Sequence, residues 1–429
     1  MNRKEFIVGL SSIGLRTVAG EKEDRVKVAQ RQSPFESTKT ISVIGMGGIR
    51  LPVKKNDEDV DYEVFSANVD YAMAHGVNFF DTAWKYHHGG SECAFGRALS
   101  KYPREKFTFC TKMSPFTIRN FEDGRNMFLE QLKRCQMDSF DVYLLHGVNK
   151  PEDFKRTFVK TGLLNYVRDE RANGRIKRLG FSFHGRPDFF RELLEMDCWE
   201  TVMLLVNGKD WDSANRSKEL LALTQAKGIP VLGMESLCGG CLAHLKPAAH
   251  KVLQDVDLNS TDASWALRFA ASAPGVVCAF TGFSRFDHLR ENVATFDARK
   301  FHPMTDEERD IYLKAIEIEL GGMKGVPCSE CAYCMPCPYG VDIPGVFHAW
   351  NMRVRWKGLP DPANHEGTRQ FLKDYRARVS ALRDASRCIG CGECEKSCPQ
   401  WQFVIPDELA KIDGFISAAQ RREFDLRLD

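Results

Sequence analysis

Between Ile41 and Phe283 one pattern recurs along the chain. A short apolar run gives way to a polar loop, then to an amphipathic stretch, then to the next run. The runs are ISVIGMG from Ile41, VNFFDTA from Val77, FTFCTKM from Phe107 and DVYLLHGV from Asp141. IKRLGFSF from Ile176, TVMLLVNG from Thr201, IPVLGME from Ile229 and GVVCAFTGF from Gly275 complete the set. They lack the alternation of half-exposed strands, as expected of parallel strands covered on both faces. Between them, Phe128, Leu129, Leu132 and Cys135 recur at helical spacing. Leu220, Leu221 and Thr224 do the same before Gly228, which has the position of a helix C-cap. Pro274 closes the helix around Trp265 and Leu267. Eight such units in roughly 250 residues predict an α/β fold, a (β/α)8 TIM barrel. The rival, an open doubly wound sheet, needs a phosphate fingerprint, and GMGG at Gly45 to Gly48 lacks the third spaced glycine.

Beyond the barrel, Thr305 to Leu320 reads as a helix with an acidic first turn, and Gly321 to Pro327 as a hinge. Composition changes the picture here. Of 15 cysteines, eight fall between Cys328 and Cys398, in runs reading CxxCxxCxxCP and CxxCxxCxxxCP. In a long enzyme-like chain such spacing reads as metal binding rather than disulfides. The expected organisation is an N-terminal segment over 1–39, polar and linker-like from Glu21 to Lys39, then a barrel over 40–302 and a connecting helix and hinge over 303–324. By the resemblance of these runs to bacterial ferredoxins, a small α+β iron–sulfur domain with its tail is expected over 325–429.

Charge excludes one class of partner. With 60 basic and 58 acidic residues the net charge is +2, so no global basic field favours nucleic acid. No apolar run reaches the length of a membrane span. The N-terminus MNRKEFIVGLSSIGL joins a basic start to the apolar stretch Ile7 to Leu15. It resembles a twin-arginine export signal with lysine in place of one arginine. The expected location is cytoplasmic, with export of the folded protein as the alternative.

Candidate chemistry lies at the strand ends, where such barrels carry it. Asp81 ends the second run, Lys112 the third and His146 the fourth; Ser182 lies near the end of the fifth. Tyr86 follows Asp81 on the loop, in VNFFDTAWKYHHGGSE. A free tyrosine, with a pKa of about 10, is a poor acid at neutral pH. An adjacent Lys112 ammonium would favour the ionised form and lower that value. Asp81 would keep Lys112 charged and oriented, and His146 could hydrogen-bond a substrate oxygen. The set makes a proton donor for a carbonyl accepting hydride. His87 and His88 could line the mouth, though loop histidines are more often merely exposed. Cys238 and Cys241 could form a redox dithiol, or be small residues flanking Gly239-Gly240.

FFDTAWKY…GGSE, MESLCGG from Met234 and GFSRFDHLRENV from Gly282 resemble motifs of the aldo-keto reductase family, over about Ile41 to Phe296. The resemblance implies a catalytic tetrad of Asp81, Tyr86, Lys112 and His146. It implies NADP(H) or NAD(H) as cofactor. Ser182 and Asn207 would lie at the nicotinamide, Gly282 and Arg285 at the adenosine phosphate, and Glu291 and Asn292 at the adenine end. Ser182-Phe183-His184 replaces a frequent Ser-Asn, Leu205 stands at a family glutamine, and His288 aligns with a family arginine.

The cysteine runs resemble two-cluster bacterial ferredoxins, since soft thiolates at this spacing wrap a cubane. The fourth cysteine of each run would then serve the other cluster. Cys328, Cys331, Cys334 and Cys398 would hold one [4Fe-4S] cluster, and Cys388, Cys391, Cys394 and Cys337 the second. The expected activity is an oxidoreductase interconverting a carbonyl and an alcohol, with a small carbonyl or sugar-like substrate. A redox partner protein would exchange electrons with the clusters. The alternatives are an electron-transfer protein on a barrel scaffold and a nicotinamide-independent acid–base enzyme using Tyr86 and Lys112.

Overall fold

The computed structural model describes residues 26–54, 59–213, 216–282, 284–321, 325–357, 365–400 and 403–425. The export-signal reading, part of the hinge and the last four residues of the tail lie outside them. Ten strands are described: β1 (Gln30–Gln32), β2 (Thr40–Ser42), β3 (Ile44–Gly47), β4 (Phe79–Asp81) and β5 (Thr108–Met113). β6 (Phe140–Leu145), β7 (Ile176–Phe183), β8 (Thr201–Leu205), β9 (Val231–Met234) and β10 (Val276–Gly282) follow. β3 to β10 form a closed barrel in sequence order, every pair parallel, with β10 returning to β3. All eight expected runs supply a strand.

The helices are α1 (Tyr62–Ala74), α2 (Gly90–Leu99), α3 (Phe121–Cys135), α4 (Pro151–Phe154), α5 (Leu163–Ala172) and α6 (Pro187–Leu194). They continue with α7 (Ser217–Ala226), α8 (Pro247–Gln254), α9 (Asp262–Ser272), α10 (Phe286–Thr295) and α11 (Asp306–Leu320). Gly228 takes φ +67 after α7, and the Ile229 amide donates to Thr224 O at 3.0 Å, which closes the helix end and starts β9. The inward face of α3 differs from expectation. Phe128 and Cys135 are buried, but Leu129 is 37% exposed, because Gly124, Met127 and Gln131 complete the buried stripe on the other side of Phe128.

The barrel interior is filled by Phe79, Cys110, Val142, Leu144, Met203, Leu232, Cys278 and Phe280, with Ile41 from below. Ile41 belongs to an antiparallel hairpin of β1 and β2. The polar stretch expected as a linker up to Lys39 is therefore, from Val26 on, part of the barrel floor. Val28 and Ile41 are each 1% exposed, and Arg31 donates to the Val276 and Ala271 carbonyls. Burying those two side chains outweighs the local polarity.

The helix α11 packs on α8 and is capped at its start by a reciprocal Thr305–Glu308 box. Near its end Glu319 is 1% exposed. Its carboxylate accepts from the Lys246 amide at 2.6 Å and from Arg355 Nε at 2.8 Å. Arg355 lies on α12 (Ile343–Lys357), which packs with α13 (His365–Arg378) and α14 (Ile405–Asp425). Their shared core holds Phe347, Trp350, Phe371, Tyr375, Leu409 and Ile412. The small domain was expected as α+β. Among its described residues, helices and single turns build it and no strand is assigned. The cysteine runs spend their backbone on turns, with Glu330 at φ +57 and Ala332 at φ +59, so no extended segment is left to pair.

Candidate functional site

Strand register explains how the strand-end residues meet. Side chains two apart on a strand share a face. Phe79, Cys110 and Leu144 all point into the barrel. Asp81, Lys112 and His146 each come two residues later, so they continue those inward columns to the upper rim. Asp81 pairs in register with Cys110, and Lys112 with Leu144. The Lys112 ammonium donates to Asp81 Oδ1 at 2.6 Å, to Oδ2 at 2.7 Å and to Thr82 O at 2.8 Å. It lies 3.4 Å from the Tyr86 hydroxyl.

The loop that carries Tyr86 is anchored from below. Ser91 Oγ donates to Gly48 O at 2.9 Å and shares a 2.8 Å hydrogen bond with Thr82 Oγ1. Glu92 is buried at the start of α2, where it accepts from Thr111 Oγ1 at 2.7 Å and Gln131 Nε2 at 2.6 Å. Gly89 takes φ +93 with Arg134 against it, a conformation and a clearance that only glycine supplies. His87 is structural: its Nε2 accepts from the Leu51 amide at 3.0 Å.

Lys112 is 1% exposed. Burial alone would lower its pKa, but the Asp81 carboxylate, then Tyr86, outweigh it and hold the ammonium above its ordinary value. Burial pushes the Asp81 carboxyl up against the pull of Lys112; with two short hydrogen bonds the pair is ionic. For Tyr86 the sequence expectation is corrected. Lys112 does pull the phenol down, but burial is the larger effect and the net shift is up. Tyr86 therefore rests protonated. Burial, reinforced by Lys112, His184 and Lys85, holds His146 neutral. His184 is pushed down to about 4 by burial, then Lys112.

A cleft of about 850 Å³ runs from the four residues across the barrel mouth. Ser182 and Gly282 line it near the centre, and Arg285, His288, Glu291 and Asn292 line its far end. Asn207 does not reach it. It is fully buried and donates to Asp210 Oδ2 at 2.8 Å and Glu235 O at 3.0 Å. Arg285 lies at the N-terminus of α10, held by Asp287. An elongated cleft with backbone amides and a cation at one end fits a dinucleotide phosphate.

Sequence reasoning missed Tyr333, which stands between Cys331 and Cys334. Its ring enters the barrel mouth and packs with Tyr86, Ala83 and Phe116. Its hydroxyl lies 2.9 Å from His146 Nε2 and 3.3 Å from the Tyr86 hydroxyl. Nothing local marks it; the one available signal is an aromatic among the small and polar residues of CSECAYC.

Cys337, Cys388, Cys391 and Cys394 surround one small cavity. Cys334 is pushed up by burial and then by Cys331, Cys328, Cys398 and Cys394. All eight thiols are free of disulfides. Among the described residues no three such side chains converge on one ion position. Soft thiolates at this spacing suit a polynuclear iron–sulfur cluster. Crowded buried thiols lose their proton readily only to such a metal group. Cys238 Sγ lies 3.7 Å from Lys209 Nζ, and Gly239, between Cys238 and Cys241, packs against the Ser329 carbonyl beside Cys328.

Residues 43–311 match the model of the "Aldo/keto reductase family", and residues 327–404 that of a "4Fe-4S dicluster domain". A Bacillus subtilis protein named uncharacterized oxidoreductase YqkF is 24% identical over 62% of this chain and 90% of its own length. The NADH-specific methylglyoxal reductase of Escherichia coli is 27% identical over 40% of this chain and 56% of its own. Among solved structures, an aldo-keto reductase from Klebsiella pneumoniae in complex with NADPH superposes with a TM-score of 0.54 at 19% identity. It covers 67% of this chain and 95% of that one. An aldo-keto reductase from Bacillus halodurans gives 0.53 at 23%, covering 67% and 96%.

Proposed function

Because the chain belongs to the aldo/keto reductase family, we propose that it interconverts a carbonyl and an alcohol with NADP(H), using Tyr86 as the proton donor. One observation carries this reading: a buried Lys112–Asp81 ion pair beneath a protonated tyrosine, with a neutral histidine converging on the same point.

The nicotinamide would supply hydride to the carbonyl carbon or take it from the alcohol. Everything else falls to the chain's own groups. His146, neutral, donates from Nε2 to the carbonyl oxygen and orients it. Tyr86 gives its hydroxyl proton as that oxygen becomes negative. Lys112, fixed by Asp81 and Thr82 O, stabilises the tyrosinate left behind. Ser182 would flank the nicotinamide half, and Gly282, Arg285, Glu291 and Asn292 the adenosine half. Asn207, held by Asp210 and Glu235, would support the wall rather than touch the cofactor. Arg285 and His288 favour the extra phosphate of NADP(H), which is the basis for preferring it to NAD(H).

The cysteine module, in this reading, holds two [4Fe-4S] clusters, one on Cys328, Cys331, Cys334 and Cys398, the other on Cys337, Cys388, Cys391 and Cys394. Clusters carry single electrons and nicotinamide a pair, so the clusters serve a partner protein or the architecture of the site. The substrate is a small molecule with a carbonyl or sugar-like group. A second reading, an electron-transfer protein on a barrel scaffold, is favoured by Tyr333 standing in the mouth.

The deciding experiment titrates anaerobically purified protein with NADPH, following cofactor fluorescence, and compares benzaldehyde reduction by wild type and Tyr86→Phe. The expected result is saturable binding in both and loss of about 10²–10⁴ in kcat for the variant. Absence of binding removes the nicotinamide-dependent reading. Undiminished turnover in the variant removes Tyr86 as donor.

A further inference from the structure

The Tyr333 hydroxyl occupies a position of particular chemistry. It sits where the His146 Nε2 and the Tyr86 hydroxyl converge, at 2.9 Å and 3.3 Å. With the proton on Nε2, His146 donates to Tyr333, and Tyr333 donates to Tyr86. A carbonyl oxygen would accept from the same two groups. Two oxygens cannot share that point, since hydroxyl contacts close to about 2.5 Å and no nearer.

The ring is as well fitted as its hydroxyl. It lies near-parallel to Tyr86, at 17° with centroids 6.4 Å apart, and edge-on to His146, at 90° and 5.4 Å. Phe116 covers it at 5.7 Å. The segment carrying it is tied to the barrel rim. Arg50 Nη2 donates to Ser329 O at 2.8 Å. Gly239, at φ +68, approaches the same carbonyl so closely that a Cβ there would stand 2.8 Å from it. From the module side His348 Nδ1 pairs with Glu330 at 2.6 Å.

We propose that Tyr333 is the specificity-determining residue of the carbonyl site, an internal occupant that a substrate must displace in order to reach His146 and Tyr86. The proposal rests on the reading of the tetrad as a carbonyl-reducing device. The room a substrate gains is the room the ring gives up, so flat, aromatic-sized carbonyls fit best. Displacement also moves the chain between Cys331 and Cys334. Occupation of the barrel mouth and the conformation of the first cysteine run are therefore linked, and the linkage acts in both directions.

The test uses the full-length protein with benzaldehyde, benzyl alcohol and NADP(H) as probes. Tyr333→Ala removes the occupant; Tyr333→Phe keeps the ring and removes the hydroxyl. Expected are a KM for benzaldehyde lowered about tenfold or more in Tyr333→Ala and about threefold in Tyr333→Phe, with kcat changed less than KM. Hydrogen–deuterium exchange supplies a readout independent of turnover. In wild type, amides within 326–337 should exchange faster when NADP and saturating benzyl alcohol are added. In Tyr333→Ala they should already exchange fast without them. If Tyr333→Ala loses iron, Tyr333→Phe decides by its KM and exchange alone. Unchanged KM together with unchanged exchange, while NADPH binds and Tyr86 is required, overturns this proposal only. Absence of NADPH binding, or turnover that survives Tyr86→Phe, removes the parent reading and this one with it.

Discussion

Replacing Asp81 by asparagine tests the electrostatics of the site without changing its shape. In the native chain the Lys112 ammonium has two carboxylate bonds, one carbonyl and one distant phenol, and is 1% exposed. Removing one partner of a buried ion pair costs about 3–5 kcal/mol, because the other charge is stranded. The lysine has one escape, which is to lose its proton. From an ordinary pKa of about 10.4, neutralisation at pH 7 costs about 4.6 kcal/mol, at 1.36 kcal/mol per unit. That sets a ceiling on the damage, and the two figures overlap.

The pH dependence then separates wild type from variant. In wild type, Lys112 is held above its unfolded value. Its stabilisation is complete below about pH 10 and is lost only as pH climbs through the raised value, so this group contributes no slope between pH 7 and 9. In Asp81→Asn a folded chain with neutral Lys112 binds one proton fewer than the unfolded chain, so stability rises with pH by about 1.4 kcal/mol per unit up to about pH 10. Anaerobic urea unfolding followed by tryptophan fluorescence at pH 7, 8 and 9 reads both effects. A variant within about 1 kcal/mol of wild type at pH 7, with no gain at pH 9, would refute the assignment of Lys112 as a buried, pair-dependent charge.

Two further outcomes follow from the ligand groups and the cleft. Cys337→Ser and Cys398→Ser should each remove about half the iron by disturbing different clusters, with distinguishable electron paramagnetic resonance spectra in the reduced proteins; identical residual spectra would break the proposed partition. Arg285→Ala should weaken NADPH more than NADH, about three- to tenfold in relative Kd by fluorescence titration, since only NADPH carries the added phosphate; equal losses would exclude Arg285 from that contact.

Much of the barrel was legible because parallel strands buried on both faces must be apolar throughout, and eight such runs leave little choice of fold. Asp81, Lys112 and His146 were legible for a related reason. Each continues an inward-facing column of apolar residues and breaks it with a polar group. The floor hairpin was not, because Arg31 and its polar neighbours look like linker until Val28 and Ile41 are seen buried. Helical spacing alone assigned Leu129 to the core; which side of Phe128 is covered depends on the packing of α3, and Gln131 took the place. Tyr333 was beyond reach for a deeper reason. Its partner His146 is 187 positions away, and the contact depends on how one domain sits on another. The net pKa of Tyr86 was misjudged on the same ground: charge is visible in a sequence, but depth is not.

The Glu319 carboxylate has a consequence for how the chain can come apart. One oxygen accepts from the Lys246 amide and the other from Arg355 on α12, while the side chain stays 1% exposed. If the module detached, Glu319 would keep the Lys246 amide and lose Arg355, whose guanidinium covers its other oxygen. Limited proteolysis between α11 and α12 should therefore leave two fragments that stay together. The two cores are joined by a carboxylate shared between barrel and module, by Arg50 on the Ser329 carbonyl and by Tyr333 in the barrel mouth.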